Sequence, residues 1–131
     1  MERAHIGGIS PFFIVNDVEK SLAFYCAKLG FETRCKEPEI DPFFGIVGRE
    51  GAQLFMKSHR GLAPMPNTTR HPWIKWDAFV YVQDPDALAA EFTGENVELK
   101  TPLEDTHDGL RGFTVGDPDG YVLFFGRPQG D

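Results

Sequence analysis

Residues able to bind a metal ion or transfer a proton are dispersed along this chain of 131 residues. The four histidines match no spacing that would place two of them on one face of a helix or strand. The two cysteines form no metal or redox motif. We therefore expect the histidines to lie in exposed loops. The histidines are His5, His59, His71 and His107, and the cysteines are Cys26 and Cys35.

Asp77 is the acidic residue best placed for acid–base chemistry. It begins a strand-like segment that also contains Phe79. A carboxylate among aromatic rings could act as a general base. It could equally hydrogen-bond Ser10, or pair with Lys57 or Arg111. We treat Asp77 as a candidate catalytic residue and favour a structural or ligand-anchoring role.

Capping residues and apolar spacing predict two helices. Asp17 is a suitable N-cap, and the apolar residues after it recur at spacings of three and four until Gly30 ends the helix. Asp84 caps the second helix, and Pro85 occupies its first position, where the missing N–H costs nothing. Gly94 is expected to end this helix.

The strand-like segments complete a β-α-β-β-β unit that occurs twice. The capping residues Asp17 and Asp84 lie 67 positions apart (84 − 17), and the turn glycines Gly51 and Gly120 lie 69 apart (120 − 51). One duplicated unit explains both separations. The predicted strands are 9–15, 32–36, 43–48, 53–57, 77–82, 97–100, 112–115 and 122–126.

We therefore predict an α+β fold with one domain over residues 1–131, because the chain has room for one core. The first module spans about 8–58 and the second about 76–127. The connecting segment 59–75 is long for so small a domain, so we expect it to fold over a site.

Alternation along the strands separates two faces. The apolar face, expected to pack beneath the helices, comprises Phe13, Val15, Leu54, Met56, Ala78, Val80, Val82, Leu123 and Phe125. The mixed face comprises Ser10, Phe12, Ile14, Gln53, Phe55, Lys57, Asp77, Phe79, Tyr81, Val122 and Phe124. Aromatic side chains with a few polar groups suit a ligand site. A second core or a dimer interface is the alternative.

Two stretches resemble signatures of a known family. The segment Val15–Tyr25 (VNDVEKSLAFY), followed by Leu29–Phe31, resembles the opening signature of the vicinal-oxygen-chelate superfamily. The segment Phe113–Tyr121 (FTVGDPDGY), followed by Phe124–Gly126, resembles its closing signature. The resemblance implies paired β-α-β-β-β modules that form a curved mixed sheet around a cavity, usually in a homodimer with shared sites.

Metalloenzymes of this superfamily carry ligands on the first strand and near the last strand of each module. The corresponding positions here are Ser10 and Phe55 in the first module, and Asp77 and Phe124 in the second. Two benzyl side chains and a neutral hydroxyl leave one carboxylate, whereas such a site needs three or more donors. We therefore predict no metal site and no cofactor.

The segment Trp76–Leu88 resembles the bleomycin-resistance branch, which implies a metal-independent protein that sequesters a cationic or aromatic small molecule. Trp73 and Trp76 could stack on such a ligand. The alternative is a lyase, isomerase or dioxygenase with an unconventional metal site or an Asp77-centred metal-free mechanism. The candidate ligand-binding residues are Ser10, Phe12, Phe55, Trp73, Trp76, Asp77, Phe79, Arg111 and Phe124.

Charge and hydropathy exclude other partners. The formal net charge is −7, and no cluster of lysine and arginine occurs, so we expect no nucleic-acid partner. No apolar run approaches the roughly 20 residues of a membrane-spanning helix, and the N-terminus lacks the apolar core of a signal peptide. We expect a cytoplasmic protein.

Overall fold

A computed structural model describes residues 2–130, and the strands in this range form two four-stranded sheets, one from each half of the chain. The predicted duplication of a β-α-β-β-β unit is confirmed. The first module comprises β1 (Phe12–Ile14), α1 (Val18–Leu29), β2 (Glu32–Glu37), β3 (Phe44–Arg49) and β4 (Ala52–Lys57). The second comprises β5 (Ala78–Tyr81), α2 (Pro85–Gly94), β6 (Thr101–Asp105), β7 (Leu110–Gly116) and β8 (Val122–Pro128).

Both helices begin at the predicted caps. The carboxylates of Asp17 and Asp84 each accept the backbone N–H three residues further on, which satisfies one of the free donors of the first turn. Gly30 ends α1 in the left-handed conformation, with φ 74°. Helix α2 ends at Gly94, but the residue with positive φ that follows it is Asn96, at φ 62°. Neither helix in residues 2–130 is long and apolar enough to span a membrane.

The sheets have equivalent strand orders, β1-β4-β3-β2 and β5-β8-β7-β6. In each sheet the first strand runs parallel to the last and forms one edge. The prediction of a strand at 97–100 is wrong, because the strand lies at Thr101–Asp105. Val97 is buried outside any strand, and the ladder is irregular between Thr101 and Glu104, where Pro102 has no N–H to donate.

One face of each sheet packs against its helix, and the two helix-facing sides merge into one core. The core is largely aromatic, and its members include Phe13, Tyr25, Met56, Phe92, Phe113 and Phe125. Polar contacts also join the modules. Arg49 at the end of β3 donates two hydrogen bonds to Glu91 of α2, at 2.8 and 3.0 Å. Tyr121 donates to the backbone oxygen of Ile14 at 2.6 Å. The opposite side of each sheet, which carries no helix, is called its open face below.

Candidate functional site

The open face of the second sheet carries an aromatic cluster of Trp76, Phe79, Tyr81 and Phe124. Phe79 and Phe124 pair in register on the parallel strands β5 and β8, and their rings stack with centroids 5.1 Å apart and planes 19° apart. The Trp76 ring lies 5.6 Å from Phe79 and 6.1 Å from Phe124, and Tyr81 lies 4.7 Å from Phe79. We call these four residues the second-sheet cluster.

Two glycines allow the Phe124 ring to lie flat on the sheet. Gly112 and Gly126 face each other on β7 and β8. A Cβ atom on Gly112 would lie 2.6 Å from Cε1 of Phe124, and a Cβ on Gly126 would meet the same atom. Any larger residue would therefore displace the ring. Neither glycine was predicted as a site residue, although Gly126 lies two positions from Phe124 on the same face of β8 and Gly112 pairs with Gly126.

The open face of the first sheet carries an aromatic trio of Phe12, Phe44 and Phe55. Phe12 and Phe55 pair in register on β1 and β4, in the position equivalent to Phe79 and Phe124. The three ring centroids lie 5.9 to 6.1 Å from one another. Phe12 is 56% exposed, so apolar surface is available here. The alternation of β3 could have identified Phe44, which was missed.

Both carboxylate oxygens of Asp77 accept hydrogen bonds from the backbone. One carboxylate oxygen accepts the N–H of Asn67 at 2.7 Å, and the other accepts that of Val122 at 2.8 Å. Asp77 therefore ties the connecting segment 59–75 to the start of β8. An acid–base step at Asp77 would have to break one of these bonds, so the geometry favours the structural role over the catalytic one.

Two of the expected ligand-binding residues, Trp73 and Arg111, lie apart from both aromatic groups. Ser10 is exposed and precedes β1. Trp73 is 83% exposed and packs edge-on against His71 rather than the second-sheet cluster. Arg111 lies on the helix-facing side and bonds Asp86 of α2, because odd-numbered residues of β7 point toward the helix. Arg111, a predicted ligand-binding residue, therefore lies away from the open face.

A groove of about 640 Å³ runs between the modules along the free edge of β5. Ala78, Val80 and Val82, expected to pack beneath the helices, are half-buried and line this groove. Leu54 and Leu88 contribute further apolar surface. The helix-facing side of β5 is therefore incompletely covered within one chain.

The residues at the family's metal-ligand positions do not suit a metal ion. Phe55 and Phe124 offer no donor atom, and both oxygens of Asp77 already accept backbone hydrogen bonds. Across residues 2–130, no three His, Cys, Asp or Glu side chains converge in a way that could hold a metal ion.

Two β-α-β-β-β modules with open sheet faces define the class of fold to which the chain belongs. The chain is a member of the Glyoxalase/Bleomycin resistance protein/Dioxygenase superfamily, whose family model matches residues 4–125. This membership confirms the resemblance in the sequence. No curated protein matches the sequence significantly.

Solved structures share the fold over nearly the whole chain. The bleomycin-binding protein of Streptomyces verticillus, complexed with copper(II)-bleomycin, is 25% identical with a TM-score of 0.69, covering 99% of this chain and 100% of that one. TioX of Micromonospora sp. ML1 is 18% identical with a TM-score of 0.71, covering 92% and 97%. A glyoxalase-related enzyme of Clostridium phytofermentans is 16% identical with a TM-score of 0.72, covering 97% and 99%. The shared fold therefore includes both a binding protein and an enzyme-related protein.

Proposed function

We propose that this protein binds and sequesters an aromatic small molecule without a protein-bound metal and without altering the ligand chemically. The observation that carries the proposal is the stacked pair Phe79 and Phe124, with Trp76 beside it, at a position where metalloenzymes of the superfamily hold ligands. Phe124 is itself 5% exposed, so the apolar surface offered to a planar ligand comes from Trp76 and Phe79, which are half-buried, and from the exposed Tyr81. The stacked rings offer nothing that could transfer a proton or polarise a carbonyl.

The similarity to the bleomycin-binding protein supports this proposal and makes bleomycin the first compound to test. The net charge of −7 would favour approach of a cationic compound such as this one. Planar aromatic compounds of other charge belong in the same panel, because stacking depends on the ring rather than on its charge.

We further propose a homodimer. The free edge of β5 and the groove beside it leave apolar surface uncovered. Ile6 and Ile9, which precede β1, are 80% and 95% exposed, and Tyr81 on β5 is 80% exposed. A second copy of the chain that covered these residues would remove them from water. Light scattering during gel filtration should give twice the monomer mass, and a monomer at micromolar concentration would contradict this part of the proposal.

Trp76 provides an intrinsic reporter of binding, since the chain has two tryptophans and Trp73→Phe leaves Trp76 alone. Fluorescence titration with the compound panel should show saturable quenching, and mass spectrometry should recover the ligand unaltered. Phe79→Leu should weaken binding about three- to tenfold, because it removes one stacking partner. The matched control is Phe24→Leu, which changes a ring packed on the helix side.

Two results would overturn the proposal. Elemental analysis of gently purified protein that found one transition metal per chain would favour the metal-dependent lyase or dioxygenase. Product formation abolished by Asp77→Asn would favour metal-free catalysis.

A further inference from the structure

Lys57 differs from the other half-buried lysine and arginine residues in the contacts of its charged group. Within residues 2–130, six lysine and arginine side chains are half-buried. Five of them contact a carboxylate or a backbone carbonyl, whereas the ammonium group of Lys57 contacts neither. The five partnered residues are Lys28, Lys36, Arg49, Arg111 and Arg127.

A groove of about 580 Å³ lies beside this ammonium group. His59 and Arg60 supply further basic side chains to its wall, while Phe43 and Leu62 supply apolar surface. The Lys57 nitrogen lies 5.9 Å from the centre of the Phe43 ring. No aspartate or glutamate lines the groove, although acidic residues outnumber basic ones by 20 to 13 in the whole chain.

Lys57 and Arg60 give the groove lining a positive charge, although the carboxylate of Asp119 accepts the N–H of Asn16, another lining residue. At physiological ionic strength, charges further away than about 8 Å are largely screened, so the nearby groups determine which ion the groove prefers. A half-buried ammonium gains most from a charged acceptor at hydrogen-bond distance. The geometry therefore favours an anionic oxygen group, such as a carboxylate or sulfonate.

Lys57 also lies close to the aromatic trio of the first sheet. Phe55 and Lys57 are two residues apart on the same face of β4, which places their Cα atoms about 7 Å apart. Lys57 pairs in register with Phe44 on one side and Ile14 on the other. One molecule could therefore place a ring against the trio and a negative group beside Lys57.

We propose that the groove beside Lys57 binds the anionic group of an aromatic acid whose ring lies on Phe12, Phe44 and Phe55. This inference rests on the proposed small-molecule binding and adds a subsite on the first sheet, distinct from the second-sheet cluster, for an anionic aromatic compound. It assigns Lys57 the direct contact with the anion, and Arg60 the supporting positive charge.

Two fluorescent probes that differ by one charged group test the assignment. Anilinonaphthalene sulfonate carries an anionic sulfonate, and phenylnaphthylamine is the neutral counterpart. Both are titrated into the intact protein, the variants Lys57→Met and Phe55→Leu, and the control Lys20→Met, which removes an exposed positive charge from α1. Thermal unfolding of each variant shows that the fold is retained.

We expect the wild-type protein to bind the sulfonate more tightly than the neutral probe. Lys57→Met should weaken sulfonate binding about tenfold, the scale of one charge-assisted hydrogen bond, and leave the neutral probe unchanged. Phe55→Leu should weaken both probes, and Lys20→Met neither. Added salt should weaken only the sulfonate in the wild type, which tests the charge without relying on a variant.

Equal affinity for the two probes, or a Lys57→Met variant that binds the sulfonate as the wild type does, would overturn the anion site and leave the proposed binding function intact. If neither probe bound the folded protein, the anion site would fail, and the proposed binding function would be decided separately by the Trp76 titration with the compound panel.

Discussion

The hydroxyl of Tyr25 donates a hydrogen bond of 2.9 Å to the carboxylate of Asp117, and this contact joins α1 of the first module to the β7–β8 turn of the second. Both residues are buried. Asp117 also accepts the backbone N–H groups of Asp119 and Tyr121, each at 2.9 Å. Asp119 in turn accepts the N–H of Asn16 at 3.1 Å, just before α1. The turn therefore holds the two modules together.

Tyr25→Phe should destabilise the protein by about 1–2 kcal/mol, because it leaves a buried carboxylate short of one donor. Burial, and then the charge of Asp117, raise the pKa of Tyr25 well above its usual value, so the hydroxyl keeps its proton to donate. The free energy of unfolding in urea measures the loss. Tyr81→Phe is the control, because it removes the same hydroxyl from a residue 80% exposed in one chain and keeps the ring that the proposed homodimer would cover, so stability should change little. Equal effects of the two substitutions would contradict the role of the buried contact.

The pH dependence of stability should report on Asp117. Burial raises its pKa from 3.8 to about 6 in the folded protein, although three hydrogen bonds act in the opposite direction. Between about pH 4 and 6 the folded state then binds more protons at this site than the unfolded state does. The contribution of Asp117 to stability is therefore full below pH 4 and is lost as the pH rises through 6.

Asp117→Asn removes this titration while keeping an acceptor for the backbone N–H groups. The free energy of unfolding of the wild type, relative to Asp117→Asn, should fall by about 2–3 kcal/mol from pH 4 to pH 7. Urea unfolding across this range gives the two profiles, and other carboxylates cancel in the difference. Parallel profiles would show that Asp117 titrates alike in both states.

Local signals in the sequence were enough to predict the helices and the duplicated plan. Asp17 and Asp84 cap helices because a carboxylate satisfies a free N–H wherever it precedes a helical turn. The alternation in β4 and β8 correctly separated Leu54 and Leu123, which belong to the core beneath the helices, from Phe55 and Phe124 on the open face. These features depend on neighbours a few positions away.

Contacts between distant residues could not be predicted in this way. The turn containing Asp117 was recognised, but its bond to Tyr25 spans 92 positions. Asp77 was placed at the right strand, yet the partner that occupies it, Asn67, lies in a segment with no periodic pattern. The contact of Arg111 with Asp86 was not predicted, because it depends on how α2 packs on β7. The sequence therefore predicted aromatic residues that the structure brings together, and not the polar contacts of Asp77 and Arg111.

The packing of the Phe124 ring against Gly112 and Gly126 gives a prediction about stability. Gly112→Ala should destabilise the protein by about 2 kcal/mol or more, because the new methyl group would overlap both the Phe124 ring and the β8 backbone. Gly116→Ala is a matched control on the same strand, where a Cβ meets nothing within 4 Å. It should be neutral or slightly stabilising. Chemical unfolding of both variants measures the difference, and a tolerated Gly112→Ala would mean that the ring moves freely.

Asp77→Asn separates the structural role of this residue from a catalytic one. Both carboxylate oxygens accept backbone N–H groups, at 2.7 and 2.8 Å, so an asparagine amide would have to point its own N–H at one of these donors. We expect a loss of about 2 kcal/mol, from one broken charge-assisted bond and one unsatisfied donor. The melting temperature and the free energy of unfolding in urea measure it.

Asp84→Asn is the appropriate comparison, because it makes the same chemical change at a helix cap. Asp84 accepts one backbone N–H, from Ala87 at 3.1 Å, and asparagine caps a helix about as well as aspartate does. The two substitutions remove the same charge, so a larger effect at position 77 isolates the second hydrogen bond. If Asp77→Asn were as stable as Asp84→Asn, the carboxylate would not be needed to hold the connecting segment against β8, and its place beside Phe79 would again favour a role in chemistry.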